Sequence, residues 1–174
     1  GKQPVAHSNV NPLDWVYSED VPHYSYDPDR AAALLHEAGW TDMRDGIRHN
    51  AAGDRLTLRI MTTAGNKTRE LVEQVLQSQW KKVGIEITIK NEPARVFFGE
   101  TVAKRGYPAM AMYAWLSSPE SVPRSAMHSA MIPSAANAWS GQNSPGFVNP
   151  EMDAMIEQTE VELDRETRRG YWRR

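Results

Sequence analysis

The chain has 174 residues, 40% of them apolar and 24% charged, the proportions of one ordinary globular domain with a real core. A net charge of −2 without a basic patch speaks against a nucleic-acid partner, and no apolar run approaches the ~20 residues of a membrane-spanning helix. The absence of cysteine excludes disulfides, cysteine nucleophiles and thiolate metal sites.

Residues 1–26 carry Pro4, Pro12 and Pro22 with little periodicity and read as an extended segment laid over the domain. Trp15, Tyr17, Tyr24 and Tyr26 are expected to pin it down, each burying a ring while keeping a polar end in reach of water. Asp27-Pro28 is a helix start, with Asp as N-cap and Pro at the first helical position. Ala31, Leu34, Leu35 and Ala38 form the predicted buried stripe, and Gly39 ends the helix before Trp40. Asp45-Gly46 and Ala52-Gly53-Asp54 are turn signals, with Ile47 on a short edge strand between them. The acids here do not make a calcium loop, because Arg44 stands where a third acidic ligand is needed and no glutamate closes the pattern.

Leu56–Thr62 alternates as a strand. Asn66 caps a helix whose predicted buried face is Leu71, Val72, Val75, Leu76, Trp80 and Val83, and Gly84 terminates it. Ile85, Ile87 and Ile89 alternate along the next strand. A helix over Arg95–Arg105 follows, with Val96, Phe97 and Val102 at helical spacing and Gly106 at the place of the residue just past its end. The uninterrupted apolar run Ala109–Trp115 predicts a central strand covered on both faces. Residues 56–115 therefore read β-α-β-α-β, an α/β architecture.

Residues 117–148 are rich in Ser, Pro, Asn, Gly and Ala, with one or two helical turns expected around Val122–Met131. A connection this long inside a domain is usually functional or disordered, and Trp139 and Phe147 point to a packed one. Asn149-Pro150 repeats the cap-and-proline device. Met152, Met155, Ile156, Thr159 and Leu163 mark the helix behind it, and Asp164 caps the last one.

Ligands of open α/β sheets sit beyond the carboxyl ends of the strands, which makes Trp115 and the following loop the candidate site. Trp115 either faces a ligand or closes the core. Ser117 and Ser118 either donate to a ligand or cap a helix starting near Pro119. Asn137, Trp139, Gln142 and Asn143 combine one stacking surface with three amides, which suits a wet small-molecule site or a loop bonded to itself. The five histidines lie at no ligand spacing, so no metal and no cofactor is expected. No phosphate loop, nucleophile elbow or acid/base pair with a nucleophile occurs, so no catalytic residue is assigned.

In combination, four segments resemble a known family. They are Tyr26-Asp27-Pro28 through Glu37-Ala38-Gly39-Trp40, Asp45–Arg48 through Gly53–Leu56, Gln74 through Gln79–Ile87, and Asn149-Pro150-Glu151-Met152-Asp153. Together they resemble the C-terminal lobe of the family-5 extracellular solute-binding proteins, the peptide- and nickel-type receptors of ABC importers. The resemblance covers roughly residues 20–174 and implies a periplasmic-binding-protein-like lobe with a central sheet and helices on both faces. It implies that residues 1–174 are one lobe of a longer, two-lobed protein that closes over its solute. It also implies a missing N-terminal lobe and a membrane permease as partners, and a periplasmic or extracellular location, with any membrane anchor in a missing N-terminal segment. In peptide-binding members the loop after the strand matching 109–115 carries a Trp, here Trp115, and then an acid that captures the peptide amino group. No Asp follows here, and Glu120 is the acid that the loop Ser117-Ser118-Pro119-Glu120 offers.

The resulting expectation is a receptor without bond chemistry, holding an oligopeptide or peptide-like solute. A sugar or metal-chelate receptor of the same family stands beside it. From other classes come a serine hydrolase using Ser117 or Ser118 and a regulatory interaction module.

Overall fold

In the computed structural model, which describes residues 6–116, 118 and 121–173, Asp27 opens helix α1 (Pro28–Glu37) by accepting from the Arg30 N–H at 2.8 Å. The helix forms from its local signals, yet no residue of it is buried and Leu34 is 48% exposed. The predicted buried stripe of α1 is thus corrected: periodicity names the face suited to burial, while a packed neighbour decides whether it is buried. Strands β1 (Asp42–Arg44) and β2 (Ile47–His49) pair antiparallel around Asp45-Gly46. Both turn residues have positive φ, +50° and +77°, the mirror-image turn that suits strand twist.

Strand β3 (Thr57–Met61) leads into helix α2 (Lys67–Lys82), whose cap Asn66 accepts from the Arg69 N–H at 3.1 Å. Strand β4 (Glu86–Ile89) follows. Helix α3 (Ala94–Val96) then runs into a π-helical stretch, Phe97–Val102, and strand β5 (Met110–Ala111) comes next. The sheet has the order β4-β3-β5, with both neighbours parallel to β3. Ile60 and Met61 point to opposite faces and are each 3% exposed, so β3 is covered on both sides. Phe97 and Val102 pack on Met61, with Phe98, Tyr107, Ala111 and Tyr113 around them.

Three expectations are corrected within this sheet. The apolar run 109–115 yields only two strand residues, half-buried and at an edge of the described sheet. A single further bond, from the Met112 N–H to the Met61 carbonyl at 2.7 Å, extends the pairing. The run is rich in alanine, which contributes little to pairing on a pleated surface. On α2, Leu71, Val72 and Val75 are exposed, and the helix instead turns Glu73, Leu76, Gln77, Trp80 and Val83 inward. Glu73 is fully buried, and the Gln77 amide reaches the Ile87 carbonyl at 2.8 Å, so two polar side chains share the inward face with Leu76, Trp80 and Val83, the part of the expected stripe that is covered. Finally, the left-handed residue after Val102 is Arg105, φ +56°, not Gly106.

The unit just described is Tyr26–Ala114; a second unit joins the residues up to Ser25 to the stretch from Trp115 onward. In the second unit Val16 is buried, and the Arg165 guanidinium lies 4.5 Å above the Trp15 ring. Tyr24 and Tyr26, expected as anchors, are 90% and 69% exposed. Aromatic character alone supplies no packing partner. Helix α4 (Arg124–Met127), two 3₁₀ turns (Ser129–Met131 and Ala135–Asn137) and helices α5 (Pro150–Val161) and α6 (Arg165–Trp172) complete the unit. Asn149 caps α5 by accepting from the Glu151 and Met152 N–H groups, and Asp164 caps α6 through the Thr167 N–H. Leu163, expected on the stripe of α5, lies past its end and is 95% exposed.

Candidate functional site

The second unit holds all the residues singled out after β5. Trp115 is 53% exposed and Ser118 is exposed, its carbonyl accepting from the Ser121 N–H at 3.1 Å. Ser117, Pro119 and Glu120 lie outside the described residues.

From Ile132 to Phe147 the loop is bonded mostly to itself and to α4. The Asn137 side chain accepts from the Ser134 N–H and donates to the Ile132 carbonyl, both at 2.9 Å. Ala138 and Trp139 follow with φ of +53° and +60°, two successive non-glycine residues in the left-handed region. Such backbone costs roughly 1–3 kcal/mol per residue and persists only where the surroundings enforce it. Here the Trp139 N–H donates to the Ser134 carbonyl at 2.8 Å, and the indole is left 38% exposed. Gly141 passes so close to Met131 that a β-carbon would meet its carbonyl oxygen at 2.1 Å, so only glycine fits. The Gln142 backbone N–H and side-chain oxygen both bond Ser125, at 2.9 and 3.1 Å.

Asn143 is fully buried. Its amide nitrogen donates to the carbonyls of Met127, His128 and Phe147, and its oxygen accepts from the Phe147 N–H at 3.0 Å. These bonds give Asn143, and in large part Asn137, the work of holding the loop. Of the two alternatives for these amides, the self-bonded loop describes both. Of the candidate residues that are described, Trp115, Ser118 and Trp139 are exposed, Asn137 and Gln142 are half-buried and Asn143 is buried.

Sequence reasoning missed a polar cluster beneath this loop. His128 is buried; its Nδ1 accepts from the Ala130 N–H at 3.0 Å, which leaves the proton on Nε2, 3.3 Å from Glu157 Oε1. The Ser129 hydroxyl and N–H both donate to Asp153, which holds that carboxyl below its usual range. A Ser, a His and an Asp thus stand together, but the Ser129 proton goes to Asp153 and the His128 acceptor is occupied, so no base is aimed at the hydroxyl. No spacing rule marks this cluster, because its members come from a short turn and from the first helical turn of α5. A cavity of about 140 Å³ lies elsewhere in the unit, lined by Val122, Met127, Met152, Met155, Ile156 and Trp172 among others, and none of the predicted site residues faces it. Among the described residues no group of three His, Asp or Glu is placed to hold a metal ion.

Three comparisons bear on this arrangement. Residues 1–134 match the family described as bacterial extracellular solute-binding proteins, family 5 Middle. The oligopeptide-binding protein AppA of Bacillus subtilis is 40% identical over 90 residues, half of this chain and 16% of that protein. An oligopeptide-binding protein from Thermus thermophilus, solved with a pentapeptide, superimposes on 99% of this chain with a TM-score of 0.90 and 33% identity. AppA solved with a nonapeptide does so over 98%, with a TM-score of 0.83 and 28% identity. The chain spans 31% and 33% of those two solved chains, and its fold is the α/β fold of that part of them. This chain belongs to the family-5 bacterial extracellular solute-binding proteins.

Proposed function

We propose that this chain supplies part of the solute-binding wall of an exported receptor that delivers a peptide or peptide-like solute to an ABC importer. The observation that carries the reading is the likeness, over 99% of the chain, to a protein solved with a bound pentapeptide. The molecule works by enclosure rather than bond chemistry, and solute draws it toward a closed state by binding that state more tightly. Trp115 and Trp139 offer exposed apolar faces, and Ser118 and Gln142 offer polar groups. Ser117 and Glu120 complete the set, with Glu120 as the acid for a peptide amine. Asn137 and Asn143 act one step back, fixing the loop that presents Trp139. Residues 1–174 form one lobe of the receptor, the rest of the chain supplies the facing lobe, and the protein operates outside the cytoplasmic membrane.

The test is mass spectrometry of the solute released by denaturing the complete receptor, followed by titration of what is found. Recovered peptides are expected, with Trp115→Ala or Trp139→Ala weakening their binding at least tenfold and leaving the melting temperature in place, a loss of about 1.4 kcal/mol or more. A recovered sugar or metal chelate retires the peptide assignment and the amine role of Glu120. Turnover of ester or peptide substrates that is lost in Ser117→Ala or Ser118→Ala overturns the receptor reading.

A further inference from the structure

Glu73 is a carboxylic acid in the wrong place for a charge. Its side chain, on the inward face of α2, is fully buried. Oε2 accepts from Asn91 Nδ2 at 2.7 Å, and Oε1 is buried without a partner. The orientation of Asn91 is fixed, because its oxygen accepts from the Thr62 N–H at 3.0 Å and its nitrogen must then face Glu73. Thr62, also fully buried, donates its hydroxyl hydrogen bond to the Met112 carbonyl at 2.7 Å. One hydrogen-bonded line therefore runs from α2 across the residues that follow β4, β3 and β5.

The charged groups around this line do not neutralise Glu73. On α2, Glu70 sits one turn earlier with the same sign, engaged by the Lys67 ammonium at 2.9 Å and the Gly65 N–H at 2.8 Å. Arg69 reaches the Thr63 hydroxyl at 3.2 Å. Beside Asn91, Lys90 is exposed and Glu92 accepts from the Thr101 hydroxyl at 2.5 Å. Among the described residues no cation pairs with Glu73, and a buried carboxylate with one neutral donor is a poor state.

We propose that Glu73 is a proton-binding site, with the proton on Oε1, and that its ionisation loosens the clamp over the carboxyl ends of the three strands. Burial pushes its carboxyl above the ordinary glutamate value; the Asn91 bond opposes this and Glu70 adds to it. The sign follows. A raised folded value makes the stabilising contribution complete below the unfolded value of the group, and the contribution is lost as pH rises through the folded value. One such proton changes the unfolding equilibrium constant by up to about tenfold per pH unit within that window.

The experiment is denaturant unfolding of the full chain across pH, for the native sequence and for Glu73→Gln, which keeps the acceptor for Asn91 and cannot ionise. The difference between the two profiles is expected to grow in favour of the variant as pH rises above the ordinary glutamate range, then level off. Superimposable profiles overturn the proposal. Should the amide fail to fold, carbon-13 NMR of the glutamate carboxyls in the native chain decides. One carboxyl titrating above the rest supports the site, and all glutamates titrating at or below the ordinary value overturns it. Neither readout depends on the identity of the solute.

Discussion

The unit Tyr26–Ala114 and the loop Ile132–Phe147 face the same requirement, that buried backbone polar groups find partners, and meet it differently. In the first, the ladder from β3 to β4 and β5 and the helix caps do it, with main chain bonding main chain. In the second there is no strand: main-chain bonds are confined to short turns such as Trp139 N–H to the Ser134 carbonyl, and two asparagine side chains tie the turns together, Asn143 alone making four bonds to backbone groups. Ladder order is distributed over many residues, whereas loop order is concentrated in a few. Single substitutions are therefore expected to hurt the loop more than the sheet unit.

The sharpest way to break this comparison is Asn143→Ala. It removes a donor from three carbonyls, of which that of His128 keeps the Met131 N–H, and the acceptor of one N–H, and is expected to destabilise the chain by about 3 kcal/mol, read from the urea midpoint. A loss below about 1 kcal/mol, the net worth of a single ordinary hydrogen bond, places the strength of the loop elsewhere. In the sheet unit the largest single effect is expected at Gly84, with φ of +88° and the Arg48 side chain 2.6 Å from where a β-carbon would stand. Arg48 is held there by the carbonyls of Val83 and Trp40, both at 2.8 Å. Gly84→Ala should cost about 2 kcal/mol, against about 1 kcal/mol for Gly53→Ala, which has nearly the same φ and open space around it. Equal losses at the two glycines show that conformation alone matters and that the contact with Arg48 does not.

A smaller effect tests the caps. Asp27→Ala removes the acceptor for the Arg30 N–H and is expected to cost about 1 kcal/mol in thermal melting, with the helices beyond Gly39 unaffected. The smallest effect is electrostatic. The Arg55 fork and the Thr57 hydroxyl bring the Glu86 carboxyl down to about 2. A lowered folded value contributes stability above the unfolded value, and that contribution is lost as pH falls from about 4.5 toward 2. Glu86 is 38% exposed, so salt screens the effect, and Arg55→Met should flatten the acid limb of the melting-temperature profile only at low ionic strength.

What could be read from residues alone follows the same division. Asp27-Pro28, Asp45-Gly46, Asn66, Gly84 and Asn149-Pro150 act locally, through one side chain or one backbone angle, and each marks its turn or helix end where expected. Burial is a property of the neighbours, so Leu71, Val72 and Val75 carried a helical period without being covered, while Glu73 is covered without an apolar signal. In the candidate site, Trp115 and Trp139 were visible as aromatics in a polar loop. For Asn137 and Asn143 the anchoring role was one of two open alternatives, since an amide that binds a ligand and one that binds its own loop have the same letter. The cluster of His128, Ser129 and Asp153 comes together only when α4 and α5 pack, and nothing in the spacing of residues 128 and 153 announces it.

The order in which the two units are strung along the chain has a consequence for synthesis. Tyr26–Ala114 is continuous, whereas its companion is split, with one piece ahead of it and the other from Trp115 onward. A ribosome makes every residue of the continuous unit before any of α4, α5 or α6. Trp15 is thus translated 150 residues before Arg165, whose guanidinium lies over its ring, and that contact waits for the last helix. During that interval a folded insert between the pieces shortens the effective loop that later has to close, so early formation of the sheet makes completion of the split unit entropically easier.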